Sequence, residues 1–332
     1  MIEFTVTENL AEQRLDKVLK KILREAPDSF IYRMLREKNI TLNKKRAEGS
    51  VRTQAGDVIR FFFSDETYRK MCGPREEAEK GKEAPGRSLE KTLKPLPDAL
   101  LPTILYEDAD VLLFVKPSGL RSQKAAPEDY SANDWVLDHF RKMHPGADGT
   151  FRPSVVNRLD RNTGGIMASG MSMKGLRVLS ELFRDRGLGK YYFTIVSGRA
   201  PEEACEKAWI MKLPGENKSG ISFTELSGSQ PIETRWKRLQ YDTVRDLSLL
   251  DVELVTGKRH QIRAHLSALG HPVLGDPKYG DPLVNRAFGL SFQCLFCHRI
   301  SFPECALPGV SGKTFSVPAP VFWPLRPEGG ES

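Results

Sequence analysis

The chain reads as an α+β protein: a mixed domain of strands and short helices, preceded by a small basic unit of two helices and a hairpin. Three observations predict this. Strand-like runs such as Val111-Leu112-Leu113-Phe114-Val115 and Tyr191-Tyr192-Phe193-Thr194-Ile195-Val196 are not regularly interleaved with long helices, which argues against a doubly wound parallel sheet. Apolar residues at helical spacing occur only in short stretches. A charged, Pro-broken stretch separates the two parts. With 332 residues the chain is long enough for two or three domains, and 39% hydrophobic residues place it among globular rather than disordered chains.

The first unit is expected over residues 1–66. Leu15, Val18, Leu19, Ile22 and Leu23 fall on one helical face, with Lys17, Lys20, Lys21 and Arg24 elsewhere on that helix. A second short helix is expected from Ile31 to Glu37, with Asp28 or Ser29 as its cap. It carries Arg33 and Arg36. Ile40-Thr41-Leu42-Asn43, a basic turn Lys44-Lys45-Arg46 and a strand Asp57-Val58-Ile59-Arg60-Phe61 complete the unit. Residues 1–60 hold 13 Lys/Arg against 9 Asp/Glu, a net of +4 out of +7 for the whole chain. Arg33, Arg36, Lys44, Lys45 and Arg46 are the candidate phosphate-binding side chains, although a cluster of this kind is commonly just an exposed turn.

Residues 67–101 read as a linker. Arg75-Glu76-Glu77-Ala78-Glu79-Lys80-Gly81-Lys82-Glu83 has no apolar period, and Pro74, Pro85, Pro95 and Pro97 interrupt the stretch. Residues 102–326 then form the mixed domain. Leu176, Leu179, Leu182 and Phe183 predict a helix, Leu250, Val252 and Leu254 a half-buried strand, and Gln261 to Leu269 a short helix closed by Gly270.

No apolar run is long enough to span a bilayer, and the N-terminus lacks a basic region followed by an apolar stretch, so cytoplasm is the default expectation. Five cysteines, an odd number, do not suggest a disulfide framework. A basic balance is weak support for a polyanionic partner. Cys294-Leu295-Phe296-Cys297-His298 fits a haem-attachment spacing, but the alternating apolar residues read better as an interior strand with small buried cysteines. His260 and His265 are five apart, which does not place them on one helical face. No metal site is expected.

The stretch with most chemical content is Val156-Asn157-Arg158-Leu159-Asp160-Arg161-Asn162-Thr163-Gly164-Gly165. It sets one carboxylate between two arginines, ahead of an expected Gly-Gly turn. Neighbouring cations favour the anion. An anionic Asp beside phosphate-holding cations suits nucleophilic chemistry on a nucleic acid. On local pattern alone, a surface ion pair at a turn is the commoner arrangement. Two further constellations accompany it. Gly189-Lys190-Tyr191-Tyr192 heads a strand. Thr256-Gly257-Lys258-Arg259-His260-Gln261-Ile262-Arg263-Ala264-His265-Leu266 leads into Leu269-Gly270-His271-Pro272-Val273-Leu274-Gly275-Asp276-Pro277-Lys278-Tyr279-Gly280.

In this order the motifs resemble those of the pseudouridine synthases that modify large-subunit ribosomal RNA and some transfer RNAs. The family's H-R-L-D-x-x-T-S-G stands here as N-R-L-D-R-N-T-G-G. K-x-Y is matched by Lys190 and Tyr192, T-G-R-x-H-Q-I-R-x-H with Lys258 in place of its first Arg, and V-x-K-P-x-G-L by Val115 or a shifted equivalent, Lys116, Pro117, Gly119 and Leu120. The loop L-G-x-P-x-x-G-D-x-x-Y-G is matched throughout. The N-terminal unit resembles a ribosomal S-four-type RNA-binding domain. Where the family often continues V-H-P, Arg121-Ser122-Gln123 stands.

The resemblance implies a pseudouridine synthase fold, with a mixed, mainly antiparallel central sheet and a catalytic cleft. It implies Asp160, Tyr192 and Arg263 as catalytic residues and Arg158, Lys190, Lys258, His260 and Gln261 as substrate-binding. The reaction is an isomerisation, so no cofactor is implied. The expected partner is RNA, most often large-subunit ribosomal RNA, bound by a monomer. A transfer-RNA synthase of the same family and a non-catalytic ribosome-assembly protein are the alternatives. Each residue also has a plainer reading: Tyr192 as a strand aromatic, Arg263 as a solvated helix residue, Lys190 as a strand-end charge.

Overall fold

The computed structural model describes residues 2–7, 10–72, 97–126, 128–145, 151–185, 187–290, 292–321 and 323–325. It divides into two compact units, one of Met1–Lys91 with Arg141–Arg152 and Ser172–Lys174, the other of Thr92–Phe140, Pro153–Met171 and Gly175–Ser332. Most of the expected linker, residues 73–96, lies outside the described residues.

In the first unit, β1 (Ile2–Thr5), α1 (Leu15–Ile22), α2 (Asp28–Arg36), β2 (Ile40–Leu42), β3 (Val58–Phe61) and α3 (Asp65–Cys72) follow in order. The strands form an antiparallel sheet β1-β3-β2. The apolar stripe of α1 is buried as its period predicts, and Leu15, Leu19 and Leu23 join Ile31, Ile40, Ile59 and Phe61 in one core. Burial of each such side chain contributes about 1.5–3 kcal/mol.

Helix α2 starts three residues earlier than expected, with Pro27 rather than Asp28 or Ser29 in the cap position. The proline ring holds φ at −64°, and the Pro27 carbonyl accepts from the Phe30 and Ile31 amides. The hairpin turn also shifts: Asn43 and Lys44 are its two central residues, at φ 51° and 63°, while Leu42 and Lys45 exchange both backbone hydrogen bonds. Two left-handed residues in a row make the tight hairpin turn that matches strand twist. Lys44, Lys45 and Arg46 are exposed. Helix α3 corrects the linker expectation from residue 67 onward. Ser64 starts it by accepting from the Thr67 amide, and Tyr68, Met71 and Cys72 pack on the core.

The second unit is built on an 11-stranded sheet. Its elements, apart from residues 141–143 of α4 and 173–174 of α5, are β4 (Thr103–Glu107), β5 (Val111–Lys116), α4 (Ala132–Met143), β6 (Ser154–Val155), β7 (Gly164–Gly170), α5 (Met173–Arg184), β8 (Gly189–Ser197), β9 (Glu203–Lys212), β10 (Ser219–Ser222), β11 (Gln230–Asp242), β12 (Leu247–Leu254), α6 (Gln261–Ala268), α7 (Pro282–Ala287), β13 (Leu295–Ser301) and β14 (Thr314–Ser316). The sheet order is β10-β9-β11-β12-β8-β13-β7-β5-β4, with β14 beside β13 and β6 beside β7. All these pairs are antiparallel except β13 with β7. The sheet is thus mixed and mainly antiparallel, as expected.

The expected Gly-Gly turn is instead the start of β7. Gly165 has φ +119°, and a Cβ there would lie 2.3 Å from the Cys297 carbonyl oxygen. Glycine is needed because the β13 backbone passes directly against it. Cys297 on β13 and Cys294 just before it are both buried. No helix is long and apolar enough to cross a membrane among the described residues.

Candidate active site

Asp160 sits in the loop that joins β6 to β7. That loop returns on itself through a bond from the Thr163 amide to the Asp160 carbonyl, 3.0 Å. The flanking arginines are not the carboxylate's partners. The Arg161 Nε donates to the Gly119 carbonyl at 3.1 Å, and Arg158 is exposed with no acidic partner among the described residues. The partner comes from α6, 103 positions away: Arg263 Nη1 donates to Asp160 Oδ2 at 2.6 Å.

Arg263 is itself held from behind. Its Nε and Nη2 donate to the two oxygens of Asp276 at 2.6 and 2.8 Å. Asp276 is completely buried and Arg263 nearly so, whereas the Asp160 side chain is 28% exposed. Asp276 also accepts from the Lys278 and Tyr279 amides, and Asn285 donates to its carbonyl. Burial works to lower the Arg263 pKa, but the hydrogen bonds and charge of Asp276, then Asp160, raise it overall. Burial likewise works to raise Asp276, and Arg263 overrides it and holds the carboxyl below its usual range. A planar fork between two carboxylates fixes the direction of the exposed one.

His260 occupies the turn before α6 in a left-handed conformation, φ 56°. Its Nδ1 lies 2.9 Å from the Tyr279 hydroxyl, which accepts from the Ser219 amide, and its Nε2 lies 3.8 Å from Asp160 Oδ1. Burial pushes the imidazole pKa down to about 4, against the pull of Asp160. It is therefore neutral at neutral pH.

Tyr192, on β8, is buried and opposite Cys297 in the sheet register. Burial, then Cys297 and the charge of Asp160, raise its pKa well above the ordinary tyrosine value, so the phenol keeps its proton. Lys190, also on β8, is buried at the cleft, and Lys258 is half-buried there. The cleft has a volume of about 600 Å³, and its lining includes eight Lys or Arg side chains and a single carboxylate, Asp160. Leu254, Ile262 and Leu295 add apolar wall beside Tyr192.

The fold thus brings together Asp160, Tyr192, Arg263, Arg158, Lys190, Lys258 and His260 around one cleft. Gln261 is a correction. It also lines the cleft, but its Oε1 accepts from Thr256 Oγ1 and the Lys258 amide, and its Nε2 donates to the Glu233 carbonyl and Thr234 Oγ1. Its amide braces the loop and has no group left for substrate. Arg33, Arg36, Lys44, Lys45 and Arg46 belong to the other unit and line no part of this cleft.

Sequence reasoning assigned no role to Asp276, although it falls inside the Gly/Pro-rich loop motif, nor to Lys116. Lys116 ends β5 wholly buried, and its Nζ donates to the carbonyls of Pro117, Leu120 and Arg161 at 2.9, 2.8 and 3.1 Å. One ammonium ties the β5 loop to the Asp160 loop. Burial lowers its pKa to about 7, partly opposed by Asp160. The signal in the sequence was a lysine closing a run of buried strand residues. No group of three or more His, Cys, Asp or Glu side chains suited to a metal occurs among the described residues.

Comparison with known proteins places the chain in a family. Residues 110–268 match the family model described as RNA pseudouridylate synthase. The ribosomal large subunit pseudouridine synthase C of Escherichia coli (strain K12) is 31% identical over 323 residues, which cover 95% of this chain and 92% of that protein. The protein of the same name from Vibrio cholerae is 30% identical over 320 residues, 95% of this chain and 92% of that one. Among solved structures, Human RNA Pseudouridylate Synthase Domain Containing 4 superposes with a TM-score of 0.54 at 22% identity, covering 66% of this chain and 89% of that one, a likeness of fold. By these matches the chain belongs to the RNA pseudouridylate synthase family, and is an RNA pseudouridine synthase.

Proposed function

We propose that this enzyme isomerises uridines in structured large-subunit ribosomal RNA, with Asp160 as the catalytic carboxylate. The observation that carries the reading is the isolation of Asp160: it is the one anion in a cleft lined by eight cations, pinned at Oδ2 by Arg263, while Oδ1 has His260 at 3.8 Å and no hydrogen bond among the described residues. A binding-only cleft for phosphates gains nothing from a carboxylate at its centre. The substrate RNA follows the names of relatives matched over nine-tenths of their length.

In the reaction the N1–C1′ bond breaks, the uracil turns, and C5 bonds to C1′; the proton leaving C5 is balanced by the one N1 gains. The base must first be flipped from its stack, at a cost of a few kcal/mol. Arg158, Lys190 and Lys258 hold the flipped nucleotide's phosphates, while Leu254, Ile262 and Leu295 cover the detached uracil and exclude water. Tyr192 stacks on the base and, still protonated, donates from its hydroxyl. Asp160 attacks or stabilises the electron-poor centre through Oδ1. The first unit acts as an S-four-type RNA-binding domain, with Arg33, Arg36, Lys44, Lys45 and Arg46 on phosphates.

Asp160→Asn tests this. The amide is nearly isosteric but not anionic, so pseudouridine formation in a large-subunit RNA fragment should fall at least a thousandfold while RNA affinity is kept. A mutant within tenfold of wild type would remove Asp160 from the chemistry.

A further inference from the structure

The site leaves two sequence departures without a role: Ser122, in the tripeptide that replaces Val-His-Pro, and Asn157, which replaces the His that usually opens the aspartate motif. Both side chains hold the backbone of the loop that carries Asp160.

Ser122 is 5% exposed. Its Oγ donates to the Leu159 carbonyl at 2.8 Å and accepts from the Leu159 amide at 3.0 Å. One hydroxyl therefore satisfies both polar groups of the residue just before Asp160, as a neighbouring strand residue does in a hydrogen-bonded pair. Rotation about Leu159 would break both bonds inside a buried environment, where an unmade bond costs about 1–3 kcal/mol. Ser122 is itself anchored: the Asn133 amide donates to its carbonyl at 3.2 Å, and the Ala132 amide to that of Arg121 at 2.8 Å.

Asn157 secures the loop two residues earlier. Its Oδ1 accepts from the Ala168 amide at 2.9 Å and its Nδ2 donates to the Ile166 carbonyl at 3.3 Å, both on β7. Arg158, between the two clamps, is the exposed residue. Asp160 follows directly, and Arg263 holds its carboxylate by a hydrogen bond to Oδ2. With one oxygen tied, the direction of the other depends on where the backbone presents the Asp160 Cα.

We infer that Ser122 is a positioning residue for pseudouridine formation, fixing the Leu159–Asp160 backbone and so aiming Asp160 Oδ1 into the cleft. This rests on the assignment of Asp160. Ser122 borders the cleft, but its hydroxyl is already engaged with Leu159, so its action runs through Asp160 and not through the uracil.

The experiment uses the full chain with a large-subunit RNA fragment. Ser122→Ala removes the hydroxyl and adds no atoms. Single-turnover rates at saturating enzyme should fall about 10–100-fold, the scale of a small misplacement of a reacting group, with the RNA dissociation constant within threefold of wild type. Ser122→Thr retains the hydroxyl and should recover most of the rate. Rates are also taken at 10 °C, with folding checked by circular dichroism, where the deficit should persist. A wild-type rate in Ser122→Ala beside a dead Asp160→Asn overturns the positioning role and leaves the aspartate assignment standing. A loss confined to RNA affinity overturns it as well, making Ser122 a binding residue. An active Asp160→Asn overturns both. Should Ser122→Ala not fold, Ser122→Cys, with its weak donor, should give an intermediate rate, and a wild-type rate there refutes the inference.

Discussion

The cations of the two units are mounted in opposite ways. In the first unit Arg33, Arg36, Lys44, Lys45 and Arg46 are exposed, on a helix face and a hairpin, with no carboxylate partner among the described residues. In the catalytic unit the decisive cations are buried and each is fully engaged: Arg263 between Asp160 and Asp276, Lys116 among three carbonyls. Exposed charge attracts phosphate from a distance and is screened by salt. Buried charge is costly to keep, and what it provides is geometry. On the proposed function, the first unit supplies affinity and the second supplies aim.

The contrast breaks most visibly at Asp276. Asp276→Ala leaves the buried Arg263 with one partner, so the fold should lose about 3–5 kcal/mol. The single-turnover rate should fall about a hundredfold because Arg263 no longer holds Asp160 in line. Denaturant unfolding and single-turnover assays below the transition read both. Unchanged stability would mean that the fork to Asp276 is ornamental.

Neutralising the exposed set should do the reverse. Arg33→Gln, Arg36→Gln, Lys44→Asn, Lys45→Gln and Arg46→Gln together should leave unfolding and the chemical step unchanged, since Asn is at home in the left-handed backbone of residue 44. RNA affinity should weaken, and its log–log dependence on salt should flatten by at most about 3.5–4.5, roughly 0.7–0.9 for each phosphate that is no longer neutralised. A titration across a salt series decides it. An unchanged slope would show that these side chains do not touch phosphate.

How much of this was legible depended on the range over which the physics acts. The α1 stripe was readable because its period lies within eight residues and every apolar position is buried. β7 was not: Gly164-Gly165-Ile166-Met167-Ala168-Ser169-Gly170 is buried on both faces and shows no alternation, so its glycines read as a turn. Helix α4 and the strands β9, β10 and β11 are absent from the sequence-based expectation, and the last turn and a half of α3 falls within its linker. In the site, Asp160, Tyr192 and Arg263 were named through the family motifs. What holds them was not. Asp276 meets Arg263 across 13 residues and Ser122 meets Leu159 across 37, pairings that only the folded chain makes. Gln261 misled in the other direction, because a polar residue inside a motif looks available until its four hydrogen bonds are traced.

The smallest expected effect concerns a group buried without charge. His265, on α6, is completely buried, its Nδ1 lies 3.0 Å from Thr234 Oγ1, and its Nε2 has no hydrogen-bond partner among the described residues. Thr234 Oγ1 already accepts from Gln261, so its own proton is free to go to Nδ1, which leaves the proton of the neutral ring on Nε2. A second proton would find no acceptor, and burial lowers the pKa from 6.5 to about 4. Above pH 6.5 the ring is neutral in both folded and unfolded chains and contributes no pH dependence. Between about 6.5 and 4 the unfolded chain takes up a proton that the folded chain refuses, so stability falls as pH falls; below about 4 the slope levels off. His260, lowered to a similar value, acts in the same direction. Each contributes at most about 1.4 kcal/mol per pH unit within that window. His265→Gln, whose amide can still meet Thr234, should therefore shrink the slope of unfolding free energy between pH 6.5 and 4 without abolishing it. It should not alter the rate at neutral pH. A slope equal to wild type would mean that the folded chain protonates His265 as readily as the unfolded one, and that buried charge in this unit is tolerated without a partner after all.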